Sequence, residues 1–197
     1  MHLQQIAFFD FDGTITRHDS MLAFTRFYKG RFRYYAGMFI LLPWLLGYKL
    51  KIRDAKSTKE KFLTYFFKGE PETVLNKKGK LFCEVFLPKD IRPAAMESIL
   101  NHKKNNHRVV VVSASAKNWI GPWCDAFDIP YLCSELEVQG GMITGKLKGN
   151  NCNGPEKERR IKENFTLSSF SKIYCYGDSE GDKEMMELAD ERFYKHF

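Results

Sequence analysis

Two pairs of aspartates, a serine and a lysine have types and spacings that could do chemistry. Asp10 and Asp12 sit two apart at the end of an apolar run, I-A-F-F-D-F-D. In a regular strand that spacing puts both carboxylates on one face, where they repel each other. A hard cation relieves the repulsion, and Mg²⁺ takes oxygen ligands, commonly one or two carboxylates with a phosphate. Asp178 and Asp182, four apart across a turn, supply more carboxylate. Ser113 closes a run of four valines and offers a hydroxyl, and the loop after it offers backbone N–H groups to a phosphate. Lys157 follows Gly154-Pro155 near a helix start. An ammonium there can neutralise both a phosphate and a nucleophilic carboxylate.

These residues are far apart in sequence, so secondary structure must bring them together. Ile6 to Asp12, Arg108 to Ser113 and Lys172 to Asp178 each read as a buried strand ending in a polar residue, and Arg192 to Phe197 as a short fourth. Helical patterns lie between them at Pro93 to Asn105, Lys117 to Phe127, Pro155 to Asn164 and Asp182 to Ala189. Strands alternating with helices predict an α/β fold on a parallel sheet, in which ligands bind beyond the carboxyl ends of the strands. Asp10, Asp12, Ser113 and Asp178 then converge on one crevice. Glu135 to Leu147 breaks the pattern. Gly140-Gly141 between two alternating runs predicts a β-hairpin attached to the sheet.

Residues 16–90 are too many for a simple crossover and are helical in flavour. They predict an inserted α-helical domain, with residues 1–15 and 91–197 forming the α/β core. The chain has 197 residues and a net charge of +7. The insertion holds 16 lysines and arginines against 7 acids, a surplus of +9, and the rest of the chain is at −2. The basic balance therefore lives in the insertion and suggests an anionic partner.

Other classes fall away. The 44% hydrophobic and 28% charged composition is that of an ordinary globular protein. The first apolar run is too short for a signal peptide, so a cytoplasmic setting is expected. The five cysteines, Cys83, Cys124, Cys133, Cys152 and Cys175, form no C-x-x-C pair and read as free buried thiols. The five histidines, His2 among them, show no zinc spacing, and no Walker A loop or G-x-G-x-x-G is present. The basic cluster His102 to Arg108 reads as a solvated helix end and loop, so no nucleic acid is expected as a partner.

D-F-D-G-T at Asp10 to Thr14, a strand ending in Ser113, Lys157, and G-D-S-E-G-D at Gly177 to Asp182 resemble the four ordered motifs of the haloacid dehalogenase-like (HAD) phosphohydrolases. The insertion is similar to that superfamily's C1-type helical cap. D-F-D-G-T-I-T-R-H-D-S, S-A-S, C-N-G-P-E-K and Y-G-D-S-E-G-D look most like the phosphoserine-phosphatase-like IB branch. The resemblance implies a Rossmann-like core and Mg²⁺-dependent hydrolysis of a phosphomonoester. It implies Asp10 as nucleophile, giving an aspartyl-phosphate, and Asp12 as general acid and then base. Asp10, Asp178, the Asp12 carbonyl and Asp182 would hold the metal. Thr14, Ser113 and Lys157 would hold the phosphoryl oxygens. Asp19 and Ser20 would line the cap side of the crevice.

Tyr34 to Tyr48 carries no charge over 15 residues and is bracketed by Lys29, Arg31 and Arg33 and by Lys49, Lys51 and Arg53. A helix of that length reaches only about 22 Å, short of a bilayer core, and Pro43 would kink or break it. Two readings stand open: core or dimer contact of the insertion, or docking at a membrane interface. Such a cap resembles that of phosphatidylglycerophosphate phosphatases, which implies a lipid phosphate as substrate. A small soluble phosphomonoester such as phosphoserine is the rival, and a phosphotransferase a second. A non-catalytic protein binding anionic membrane or nucleic acid is the non-enzymatic alternative.

Overall fold

The computed structural model describes residues 4–197; His2 and the first three residues of the core segment lie outside them. The chain runs β1 (Gln5–Phe9), α1 (Ser20–Lys29), α2 (Arg31–Lys49), α3 (Ala55–Phe67), α4 (Glu72–Val85), α5 (Leu87–Asp90), α6 (Pro93–Lys104), β2 (Arg108–Ala116) and α7 (Lys117–Ala126). It continues through β3 (Tyr131–Ser134), β4 (Leu136–Gln139), β5 (Met142–Leu147), α8 (Pro155–Asn164), β6 (Lys172–Gly177), α9 (Lys183–Glu187) and β7 (Glu191–Tyr194).

Five strands form one parallel sheet in the order β3-β2-β1-β6-β7. Strand β1 is central because both of its faces are apolar: Ile6, Ala7, Phe8 and Phe9 are all fully buried. The period of two divides them. Ile6 and Phe8 join Val110, Val112 and Cys175 on the side of α8 and α9, with Ile161 and Met185. Ala7 and Phe9 join Val109, Val111 and Tyr176 on the side that carries α7 and the inserted helices. Since β2 and β6 flank β1 on opposite sides, the chain leaves their carboxyl ends in diverging directions and a crevice opens there.

The chain between β1 and α6 folds as five helices, α1 to α5. Its many phenylalanines join the core on that face of the sheet. Phe24 packs at 5.4 Å from Phe82 and 5.2 Å from Trp119 of α7. Helix α4 seats directly on α7: a Cβ at Gly79 would lie 1.8 Å from the Asn118 carbonyl oxygen. Only glycine allows that approach, which fixes the inserted helices over the carboxyl edge of the sheet.

Four sequence expectations need correction. The hairpin β4–β5 is antiparallel but is a separate two-stranded sheet, not an extension of the main one. It packs on α3 and bonds to the inserted helices, with Gly69 N–H donating to the Ile143 carbonyl and Ile143 N–H to the Glu70 carbonyl. Its inward residues, Ile143 and Leu147, find their apolar partners there. Helix α2 runs unbroken through Pro43. The proline costs one intrahelical hydrogen bond on a largely exposed helix, and packing of Tyr34, Gly37 and Leu41 keeps the rest in line. The first strand stops at Phe9, so Asp10 and Asp12 lie in the turn beyond it rather than on one strand face. His102 is not solvated: it is buried, and its ring hydrogen-bonds to the Tyr176 hydroxyl at 3.0 Å and to His107 at 2.8 Å. All five cysteines are free and buried.

Candidate active site

Asp10 follows β1 directly, and its N–H still donates to the Tyr176 carbonyl of β6. That last ladder bond holds the backbone while the side chain turns into the crevice. Lys157 comes from the first turn of α8, where Gly154, with φ of +59°, and Pro155 start the helix. Its Nζ is 2.5 Å from Asp10 Oδ1 and 2.6 Å from Asp182 Oδ1, and it also donates to the Val112 carbonyl at 2.8 Å. All three donor protons are therefore used. Asp182 is locked from its other oxygen, which accepts from the Ser179 N–H at 3.0 Å and the Ser179 hydroxyl at 2.8 Å.

Asp178 stands beside this group, at the carboxyl end of β6. A Cβ at Gly13 would fall 2.3 Å from Asp178 Oδ2, so the turn after Asp12 passes against that carboxylate. Gly13 also has φ of +80°, a conformation that suits glycine. Carboxylate oxygens of Asp10, Asp178 and Asp182 lie within 4.8 Å of one another. Three carboxylates thus face one ammonium. Burial, with Asp182 and Asp12 nearby, pushes Asp10 up to about 8 against the pull of Lys157. Burial and the Asp182 charge raise Asp178 as well. Burial alone would lower Lys157, but Asp10 and Asp182 more than offset it and hold the ammonium charged. This donor set, hard oxygens under-neutralised by one cation, suits a divalent metal. The buried Thr14 hydroxyl has no hydrogen-bond partner within the protein, which leaves it for a ligand.

Asp12 does not join the acid cluster through its side chain. Its Oδ1 accepts from the Ser20 N–H at 2.6 Å and its Oδ2 from the Ser115 hydroxyl at 2.6 Å. Ser20 and Ser115 also share a hydrogen bond at 2.9 Å. Ser113 is fully buried, and its Oγ accepts the Ser115 N–H at 3.0 Å, an arrangement that bends the end of β2. Asp19 caps α1 through the Leu22 N–H at 2.9 Å and faces the crevice; burial and the Asp12 charge raise it to about 6.

The crevice has a volume of about 400 Å³ and is lined by Asp10, Asp12, Arg17, Asp19, Asn153 and Asp178 among others. A second cavity of about 540 Å³ meets it at Asp19 and runs between α1, α2 and α5, past Arg26, Tyr34, Tyr35, Phe86 and Lys89. Two residues of this region are not singled out as site residues by the sequence. Ser115 lies two beyond Ser113, within the S-A-S stretch, and only the bend of β2 turns it to Asp12. Lys59 of α3 reaches across from the insertion and donates to the Ala114 carbonyl at 2.5 Å and to Asn151 Oδ1 at 3.0 Å. Burial lowers it, while Asp19 and Asp12 oppose the shift.

Residues 7–187 match the family model of the haloacid dehalogenase-like hydrolases, and the chain belongs to that family. Its fold is that of solved phosphoserine phosphatases. The protein CicA of Caulobacter vibrioides is 32% identical over 202 residues, covering 100% of this chain and 88% of its own. A phosphoserine phosphatase of Archaeoglobus fulgidus is 28% identical over 98 residues, 48% of this chain and 28% of that one. Among solved structures, the phospho-aspartyl intermediate analogue of phosphoserine phosphatase has the same fold, with a TM-score of 0.67 at 18% identity over 96% of this chain and 93% of that one.

Proposed function

We infer that the protein is a Mg²⁺-dependent phosphomonoester hydrolase acting through an aspartyl-phosphate on Asp10. The observation that carries this reading is the buried Asp10 carboxylate, fixed by Lys157 inside an acid cluster and beside the unpartnered Thr14 hydroxyl. Asp10, Asp178 and the Asp12 carbonyl would ligate the metal, with Asp182 behind them, and the ion would offset negative charge on the phosphoryl group. Asp10 attacks phosphorus, and the bond from phosphorus to the ester oxygen breaks. Asp12 gives its proton to the leaving oxygen, so an alcohol departs. A water then attacks the aspartyl-phosphate while Asp12 takes its proton, releasing phosphate and free Asp10. Thr14 and Ser113 would hold the phosphoryl oxygens, and the Lys157 ammonium beside Asp10 would offset their charge. An aspartate at position 12 suits an alkoxide leaving group, which favours ester hydrolysis over carbon–halogen cleavage. The inserted helices, residues 16–90, act as the cap over residues 1–15 and 91–197.

The substrate is a phosphorylated small molecule or lipid, and the setting is cytoplasmic. The reading of a lipid phosphate such as phosphatidylglycerophosphate is supported by the apolar helix α2, whose Tyr34 and Tyr35 wall the second cavity, and implies contact with an anionic membrane. One observation favours phosphoserine instead. Asp19 lines the crevice and the Lys59 ammonium, bonded to the Ala114 carbonyl behind it, feels the Asp19 charge, so an acid and a base stand on the cap side for an amino acid's two charges.

The test is phosphate release from para-nitrophenyl phosphate with Mg²⁺, for wild type and Asp10→Asn. Wild-type turnover and a loss of at least about a thousandfold in the variant are expected. Equal activity in the variant refutes Asp10 as nucleophile. Comparison of kcat/KM for phosphatidylglycerophosphate in micelles and for O-phosphoserine separates the two substrate readings.

A further inference from the structure

A helix on a protein surface normally turns an apolar stripe inward and polar residues outward. Helix α2 does not. Tyr34, Gly37 and Leu41 face inward and are buried. The outward face is Phe32, Tyr35, Phe39, Ile40, Leu42 and Leu46, with Phe32 87% and Phe39 78% exposed. No charged residue interrupts it between Arg33 and Lys49. The apolar surface continues past the helix at Leu50 and Ile52. A contiguous exposed patch of this kind marks a docking surface.

The charges at its ends indicate what covers it. Arg31 and Arg33 stand at one end and Lys49, Lys51 and Arg53 at the other, about 28 Å apart along the helix. None of Arg31, Arg33, Lys49 and Lys51 has an ion-pair partner among the described residues. A second copy laying its α2 against this one, in either direction, would set cations against cations. No helix of the described residues is long and apolar enough to cross a membrane. An anionic bilayer surface answers both features at once. Its acyl boundary takes the apolar face, and its phosphates take the cations at both ends of a helix lying flat. Trp44 sits under the Arg53 guanidinium at 3.7 Å and the Lys61 ammonium at 4.9 Å, the mixture of aromatic and cation that suits the headgroup layer.

We propose that the outward face from Phe32 to Ile52 seats the protein flat on an anionic bilayer. Its purpose rests on the lipid-phosphate reading above, since Tyr34 and Tyr35 of the same helix wall the cavity that meets the crevice at Asp19. The surface itself stands on burial and charge alone.

The experiment is cosedimentation of the full chain with vesicles of phosphatidylglycerol and phosphatidylcholine, and with phosphatidylcholine alone. Binding is expected to the mixed vesicles, about tenfold weaker to phosphatidylcholine, and weakening as salt rises. Phe39→Ser combined with Leu46→Ser loses binding by about tenfold or more and keeps para-nitrophenyl phosphate hydrolysis, since neither residue lines the crevice. Lys49→Gln combined with Lys51→Gln weakens binding to the anionic vesicles only. Absence of binding to anionic vesicles at low salt overturns the proposal, as does full binding by the Phe39 and Leu46 double variant. A dimer in sedimentation velocity that the same double variant dissolves also overturns it and assigns the face to a second copy. The phosphatase reading is scored separately by aryl phosphate hydrolysis: if that persists without vesicle binding, the docking proposal falls alone.

Discussion

The Ser115 hydroxyl donates to Asp12 Oδ2 at 2.6 Å, across from β2 to the turn after β1. The side chain assigned to proton transfer is thus aimed by a neighbouring strand rather than by its own. Ser115→Ala removes that aim while leaving the acid cluster of Asp10, Asp178 and Asp182 in place. The expected outcome is a fall in kcat of about 10- to 100-fold with KM nearly unchanged. Steady-state kinetics on para-nitrophenyl phosphate check it, and an equal change in KM instead would assign Ser115 to substrate binding.

Lys157 is the ammonium between Asp10 and Asp182, and it is almost wholly buried. Lys157→Met leaves two facing carboxylates without their cation. Breaking a buried pair in this way costs about 3–5 kcal/mol. Urea unfolding of the variant should show a lower midpoint with an unchanged slope. A variant as stable as wild type would mean that Asp10 and Asp182 relax apart at little cost.

The metal assignment predicts a thermal shift without any substrate. Mg²⁺ at a hundredfold excess over its dissociation constant stabilises the folded chain by about 2.7 kcal/mol. Melting after chelation and again after Mg²⁺ is restored reads this directly. Asp178→Asn should abolish the shift, and a shift that survives there would move the ion away from Asp178.

His102 gives the fold a pH dependence far from the crevice. Burial, with His107 beside it, lowers its ring to about 4 from the ordinary 6.5, with Glu191 opposing. Below 6.5 the unfolded chain takes up a proton that the folded chain resists. Stability therefore falls as pH drops from 6.5 toward 4, and this contribution vanishes above that window. His102→Gln should flatten the curve of unfolding free energy against pH between those limits. A curve as steep as that of wild type would place the dependence on other groups.

The sheet was legible because β1, β2 and β6 are short continuous apolar runs, each closed by a polar residue. Asp10 and Asp178 stood out because their strands end at the same edge, and Lys157 and Asp182 because they sit in C-N-G-P-E-K and G-D-S-E-G-D. What escaped depends on contacts that no local pattern records. Tyr131–Ser134 is an edge strand of only four residues, too short for a period to show. Lys59 looks like any helix lysine until α3 is laid over β2. His102 reads as solvent-facing because its neighbours Lys103 and Lys104 do, yet helical periodicity turns it onto Tyr176. The hairpin's own alternation is visible, but its partner is fixed by backbone bonds to residues about 70 positions earlier.

Those backbone bonds bear on how substrate gets in. The inserted helices leave and rejoin the core at Thr16 and Ile91, which pair with each other as a single bridge. An appendage tethered only there could swing like a door about that pair. The hairpin adds another tether on the far side, where Pro71 pairs with Met142 and Glu72 N–H donates to the Gly141 carbonyl. A door fastened on both edges does not swing. The open side of the crevice that remains, lined by Arg17, Asp19, Asn153 and Ser179, is then the approach to Asp10 that needs no swing of the inserted helices.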